Sequence, residues 1–447
     1  IAKQFTYDAN LNLIKESNLG EVGSVNLATH AFSDVGTDSV YAHNAYAVLA
    51  NADIKNKPAS VKITSDSAGT TNLRETLFTY DARGNVLTKS DWIDSPAGYA
   101  TAGFGYDAYG NPTSTTNPAG ITTTTAYDAI YRTFPVSQTT GSFVSLATYD
   151  ARSGQTLTTT DVKGLVTAAT YDVFHRPTQT AISTTPNGSA TLWREKFSYS
   201  LGGITGGVSS NYVRHRVYDA VDTTNGHETY TYTDGLGRTI QARVEAETAG
   251  QYRVVDTFYD ERGNPQVQTL PILGNGSGFT VDANQPGTSS EYDAIGRAFR
   301  VTPPAGDTGS PTGASTVAYK DGTNPWGSVT TDAAGKVKKS YQDAYGRVIQ
   351  IVEVNGASNY NTTFTFDLVG NLNQVRDNAG NITTIAYDSL GRKKSMTEPN
   401  MGAWTYTYDS ASRLIEQKDA KNQKLKFFYS DPIGRMSGKE IFGASGT

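Results

Sequence analysis

Along much of this chain apolar and polar residues alternate one by one, and each alternating run ends at a reversal signal. Trp404, Tyr406 and Tyr408 alternate with Thr405 and Thr407, and Leu425, Phe427 and Tyr429 alternate with mostly polar neighbours. A period of two, rich in Tyr, Thr, Phe and Val, is the pattern of a strand with one covered face. The pattern predicts an all-β chain. One stretch departs from it: from about Asp38 to Asp53, Ala, Tyr and Leu recur without Gly or Pro, which predicts a short helix.

The reversal signal is Tyr-Asp-x-x-Gly-Arg/Asn. It stands at Tyr80–Asp81–Gly84, Tyr106–Asp107–Gly110, Tyr259–Asp260–Gly263, Tyr292–Asp293–Gly296–Arg297 and Tyr387–Asp388–Gly391–Arg392, with Phe366 replacing the tyrosine in one further copy. Degenerate copies start at Tyr7, Tyr127, Tyr149, Tyr171, Tyr232, Tyr341, Tyr408 and Tyr429. In the most regular stretches the signal returns every 21 or 22 residues. Asp at the first position and Gly at the fourth are type I turn preferences. The carboxylate can accept a backbone N–H two residues on, and Gly tolerates the left-handed conformation that closes the turn.

A second, weaker signal alternates with the first, as at Asn117, Asp161, Asp332, Asp377 and Asp419. Removing about four residues per turn leaves strands of roughly six or seven residues, near the usual length. Each repeat is then one β-hairpin. Turns of one type should line one edge of the sheet and turns of the other type the opposite edge. About forty strands at ~4.8 Å spacing would make a strip on the order of 190 Å long. A sheet of that length twists and must curl.

Composition decides between a solid and a hollow curl. Only 37% of the 447 residues are hydrophobic, against 44 Gly and 27 Tyr. Two apolar inner faces for a packed sandwich are hard to supply from that stock, so the expectation is a long curled or spiralling antiparallel strip around a hollow interior. Residues 1–447 read as a single repeat array and as a fragment of a longer one, because the sequence opens and closes inside repeats. Long inserted loops are expected near 19–75, 181–231, 270–291 and 303–326, where the period is interrupted.

The net charge of −5 gives no basic footprint for nucleic acid. No stretch is apolar enough for a transmembrane helix. With no cysteine, disulfides and thiolate chemistry are excluded. His30, His43, His175, His215 and His227 show no metal-ligand spacing. His227 beside Glu228 is a weak acid/base candidate, and the glycine-rich Gly274–Phe279 run lacks the helix and Gly-Lys-Ser/Thr of a phosphate loop, so it reads as a flexible loop. The repeat aspartates are explained as turn residues. No catalytic residue, metal or cofactor is expected. Arginine after the turn glycine can lie over a tyrosine ring, with Tyr292–Arg297 and Tyr387–Arg392 as the expected pairs.

The repeated tyrosine-aspartate signal, over most of the chain, resembles that of the YD-repeat, or Rhs-repeat, family. The segments Thr233–Glu247 and Asp332–Gly356 resemble the variant found in the B and C components of bacterial Tc toxin complexes. The resemblance implies a β-strip wound into a hollow shell that encloses a toxic polypeptide; in the similar teneurins the shell is part of a cell-surface adhesion protein. Some bacterial members release their cargo through a terminal autoproteolytic motif. The sequence Asp431–Gly434 falls on the repeat period and reads as an ordinary turn, so this chain is expected to be shell alone. The function implied is a non-enzymatic scaffold of a secreted or cell-surface bacterial protein. Its partners would be an enclosed or presented polypeptide and other shell subunits. The alternative is an adhesin or carbohydrate-binding module with glycan partners.

Overall fold

A computed structural model describes the whole chain except residues 27–31, 36, 52, 95–96, 203, 206–207, 210, 220–225, 283, 305–312, 321–325 and 445–447. Among the described residues there is no helix, and thirty-five strands join one continuous sheet. Neighbouring strands are antiparallel and almost always consecutive in sequence, as in Leu372–Arg376, Ile382–Tyr387, Lys393–Glu398 and Gly402–Tyr408. The strip therefore has two rims, one of tyrosine-aspartate corners and one of the second turn type.

Each tyrosine-aspartate corner is built alike. At Asp260 the backbone N–H donates to the Asn264 carbonyl and Gly263 N–H returns to the Asp260 carbonyl, both at 2.9 Å. The register slips by one residue beside Tyr259, a bulge that lets the corner close. Gly263 has φ +87°, in the region where a side chain would be strained. The second rim uses the same device, with Gly120 at φ +79° and Gly380 at φ +87°.

Four expectations are corrected. The helix over 38–53 is absent: Val40–Tyr46 is a strand between Leu13–Asn18 and Pro58–Thr64. Its local apolar spacing is overruled by two flanking strands that satisfy its backbone. The segment 19–75 contributes Val40–Tyr46, Pro58–Thr64 and the start of Asn72–Tyr80 to the main sheet, and 181–231 contributes Leu192–Ser200 and Asn211–Tyr218. In 303–326, Ser315–Lys320 is a strand, while 305–312 and 321–325 lie outside the described residues.

The strip meets itself one revolution later. Ser389 N–H donates to Asp94 Oδ1 at 2.8 Å, and Ser389 Oγ donates to the Trp92 carbonyl at 2.7 Å. Ser410 Oγ reaches the Pro118 carbonyl at 2.8 Å, and Arg435 lies over the Phe143 ring. Tyrosine-aspartate corners of the last quarter thus sit on second-type turns of the first third. About two dozen strands lie in one revolution, a circumference of roughly 110 Å, or about 35 Å across if round. The accessible surface is 26069 Å², against about 16,000 Å² for a compact monomer of this size. Few apolar side chains are buried; most strand residues are only half-covered, and strands such as Thr122–Tyr127 and Gly402–Tyr408 alternate half-covered with exposed positions. The wall encloses open space.

Candidate functional site

Two arrangements of side chains hold the wall in shape. The first is a tyrosine staple at the corners. Tyr80 Oη donates to the Pro58 carbonyl at 2.7 Å, Tyr259 to Thr239 at 2.8 Å, Tyr292 to Pro265 at 2.8 Å and Tyr387 to Leu372 at 3.0 Å. Each acceptor follows the previous corner, so every staple ties one repeat to the one before it. The bond survives where the aspartate is lost: Tyr46, Tyr199 and Tyr319 donate to the carbonyls of Leu13, Pro177 and Ala298.

Aspartate and the residue after glycine complete the corner. Asp81 Oδ1 accepts from the N–H groups of Arg83 and Asn85, and Oδ2 from the Asn85 amide. Asp107 makes the same bonds to Tyr109 and Asn111. Hydrogen bonds from Asn85 and Asn264 hold the Asp81 and Asp260 carboxyls below the usual range, and the Arg297 N–H does so for Asp293. Where arginine stands after glycine, Nε binds the aspartate, at 2.7 Å for Arg297–Asp293 and 2.6 Å for Arg392–Asp388. The same guanidinium covers a ring in the next repeat. Arg297 lies 4.0 Å from the Tyr319 ring centre and Arg392 4.9 Å from that of Tyr408. The expected pairs Tyr292–Arg297 and Tyr387–Arg392 are therefore displaced by one repeat. The arginine is held to its own corner by aspartate, which aims it forward. The string at Asp431 is one more such corner, with Gly434 N–H donating to the Asp431 carbonyl at 2.8 Å.

The second arrangement is a dense patch spanning the strands Gly226–Thr233, Thr239–Glu245 and Gln251–Tyr259. Tyr230, Tyr232, Tyr252 and Val254 pack there as a buried cluster. Beside them Gln241, Arg243 and Asp256 are at most 1% exposed. The segment expected as a loop over 270–291 folds back over this patch. Ile272–Asn275 pairs with the Gln251–Val254 end of a strand, and the chain then crosses the face before Gly287 rejoins the sheet. Arg243 donates to the Gly276 carbonyl at 2.9 Å and to Thr280 Oγ1 at 2.6 Å. Gln241 donates to the Thr280 carbonyl and to Asp256 Oδ1, and accepts from Arg243 Nε. Tyr232 Oη donates to the Ser277 carbonyl. The Gly274–Phe279 run is thus a latched strap, and the flexible-loop reading is corrected.

Burial pushes the Asp256 carboxyl up and the Arg243 guanidinium down. Asp256 Oδ2 has no hydrogen-bond partner. These groups are sealed beneath the strap, where Arg243 and Gln241 bond to its backbone and Asp256 accepts from Gln241, so the patch fastens a segment. No signal in the sequence marks Gln241 and Arg243 except their alternation within one strand.

The other candidates do not converge. Glu228 is bound by Arg214, Arg216 and the Tyr230 hydroxyl, while His227 lies on the opposite face of its strand. His43 contacts Thr64 Oγ1, His175 sits in a corner at φ +61°, and His215 stacks on Phe197. His30 lies outside the described residues. Among the described residues no three His, Asp or Glu side chains form a group able to hold a metal.

No protein-family model and no curated protein matches the chain. Its fold does match solved structures. A crystal structure of TcdB2-TccC3-TEV superposes with a TM-score of 0.77 at 13% identity, over 99% of this chain and 32% of that one. TcdB2-TccC3 itself gives 0.76 at 14%, over 98% and 30%. A Tc holotoxin pore of Photorhabdus luminescens carrying a TccC3 substitution gives 0.76 at 13%, over 98% and 31%. This chain thus spans about a third of the length of the chains it matches, and over that third its wound, antiparallel β-strip is similar to the fold of the TcdB2-TccC3 toxin component.

Proposed function

We propose that this chain is a wall segment of a hollow β-shell that encloses or presents another polypeptide, in a secreted bacterial protein of the YD-repeat type. The observation that carries this reading is the seam: a strip only one sheet thick closes on itself about 290 residues later around unfilled space. Such a wall keeps its strand edges paired, so it can surround an unfolded segment without offering it an edge to join. The likeness to TcdB2-TccC3 supports the same reading, since those structures are of a toxin component. The role is mechanical and needs no catalytic group. The glycan-binding alternative gains nothing from the exposed rings Tyr99, Trp326 and Tyr360, which fall on separate hairpins.

The test joins an unstructured reporter polypeptide to the carboxyl end and exposes the protein to protease. The reporter should resist cleavage while the seam holds and become sensitive when Ser389→Arg opens it. A reporter cut at the free-peptide rate in the unaltered protein would overturn enclosure.

A further inference from the structure

The patch beneath the 276–282 strap holds that segment as a groove holds a peptide. The strap's backbone carbonyls at Gly276, Ser277 and Thr280 accept from Arg243, Tyr232 and Gln241, and the Thr280 hydroxyl accepts from Arg243. Its aromatic side chain, Phe279, lies 5.2 Å from the Tyr232 ring and packs against the tyrosine cluster. Main-chain capture by fixed donors, with a pocket for one large side chain, is a general way of holding an extended polypeptide. The three strands that supply the groove are each paired on both edges.

The strap is an imperfect and removable occupant. Between Ile272–Asn275 and Gly287–Tyr292 the described residues belong to no strand, so this span can lift without breaking the ladder of the main sheet. Gly276, Gly278, Thr280 and Val281 are exposed although the groups beneath them are sealed. The two glycines also make the strap costly to order, because glycine loses the most backbone freedom. In the layer it covers, Asp256 Oδ2 is buried without a hydrogen-bond partner. An unmet buried acceptor is unfavourable, and a segment bringing a side-chain donor would relieve it.

We propose that the patch on Gly226–Thr233, Thr239–Glu245 and Gln251–Tyr259 is a docking groove for an extended segment of another polypeptide, with the strap as a built-in placeholder which that segment displaces. The segment carries an aromatic residue in the place of Phe279, small residues before it and a hydroxyl or amine donor for Asp256. Its remaining contacts are backbone carbonyls, which any sequence supplies. The tether gives the strap an effective concentration on the order of millimolar. A free peptide therefore competes poorly, and a polypeptide already held beside the wall competes well. The inference rests on the reading of this chain as a wall that presents a polypeptide, and its test does not depend on enclosure.

Fluorescence anisotropy with a labelled peptide of the strap's own sequence, Gly274 to Asp282, tests it. Phe279→Gly with Thr280→Gly should unlatch the strap and leave the main sheet's melting transition cooperative. The unlatched protein should bind the peptide at least about tenfold more tightly than the unaltered protein does. Adding Tyr232→Phe should cut that affinity roughly tenfold, the loss of one hydrogen bond, and a peptide with glycine in place of its phenylalanine should not bind. Phe279→Ala alone is a milder change that should give the same ordering if the double variant fails to fold. Absence of binding by the folded, unlatched protein would overturn the groove and leave the shell reading intact, whereas loss of reporter protection would do the reverse. Binding indifferent to both Tyr232→Phe and the peptide's phenylalanine would also overturn the groove.

Discussion

The patch beneath the 276–282 strap and the wall around it are made of the same hairpins but are stabilised differently. In the wall, such as Thr122–Tyr127 or Gly402–Tyr408, no residue of the strand is fully buried, and cohesion comes from ladder bonds, corner bonds and tyrosine staples spread one per repeat. In the patch, Gln241, Arg243 and Tyr232 are sealed and bond to one strap, with buried Asp256 accepting from Gln241 behind them. Distributed bonding tolerates the loss of a member, because each staple ties a repeat to one neighbour and the other repeats keep theirs. A sealed polar network does not.

The largest expected effect breaks that contrast at Arg243. Arg243→Met strands the Gly276 carbonyl and Gln241 Oε1 in a closed site, and should destabilise by about 3 kcal/mol or more. Chemical denaturation would read the loss, and hydrogen exchange should show residues 272–282 opening first. Gly110→Ala should follow. Its φ is +90° and a methyl group there meets no neighbour, so the change isolates the backbone term, about 1–2 kcal/mol. Tyr387→Phe should lose about 1 kcal/mol, one staple bond, with exchange faster only at the corners on either side.

The smallest effect separates the regions by sign. Asp81, Asp260 and Asp293 have folded pKa values below the ordinary carboxylate value, and Asp431 is held at about 2 by its Arg435 hydrogen bond. Their stabilisation is present above the unfolded pKa and is lost as pH falls from near 4 toward 2. Asp256 is raised, so its contribution is present at acid pH and is lost as pH rises through its folded value. Asp256→Asn should therefore raise the melting temperature at pH 8 and give no gain at pH 3. A gain of equal size at both would show that burial of the charge is not the cause.

The same contrast explains what could be read from the sequence. The corners were legible because Asp and Gly act within five residues, and local chemistry fixes the turn wherever both are present. Val40–Tyr46 was misread because its corner carries Tyr46 without the aspartate, and only the long-range bond to Leu13 identifies it. A tyrosine at a strand end at repeat spacing was the available signal, at Tyr199 and Tyr319 as well. The strap was illegible for a different reason: Gly276, Ser277 and Thr280 contribute mainly backbone oxygens, which any sequence would supply. The forward reach of Arg297 and Arg392 likewise depends on how one repeat overlies the next.

The central claim is that the strip winds around open space, and a distance across the ring tests it most directly. The chain has no cysteine of its own, so spin labels can be placed at Thr101→Cys and Thr248→Cys alone. Both positions are exposed and lie about half a revolution apart along the strip. Pulsed dipolar spectroscopy should give a separation on the order of 35 Å, whereas sheets collapsed face to face at ~10 Å would bring the labels to within about 20 Å. The long distance is the result this account predicts, and a single short-distance population would contradict it.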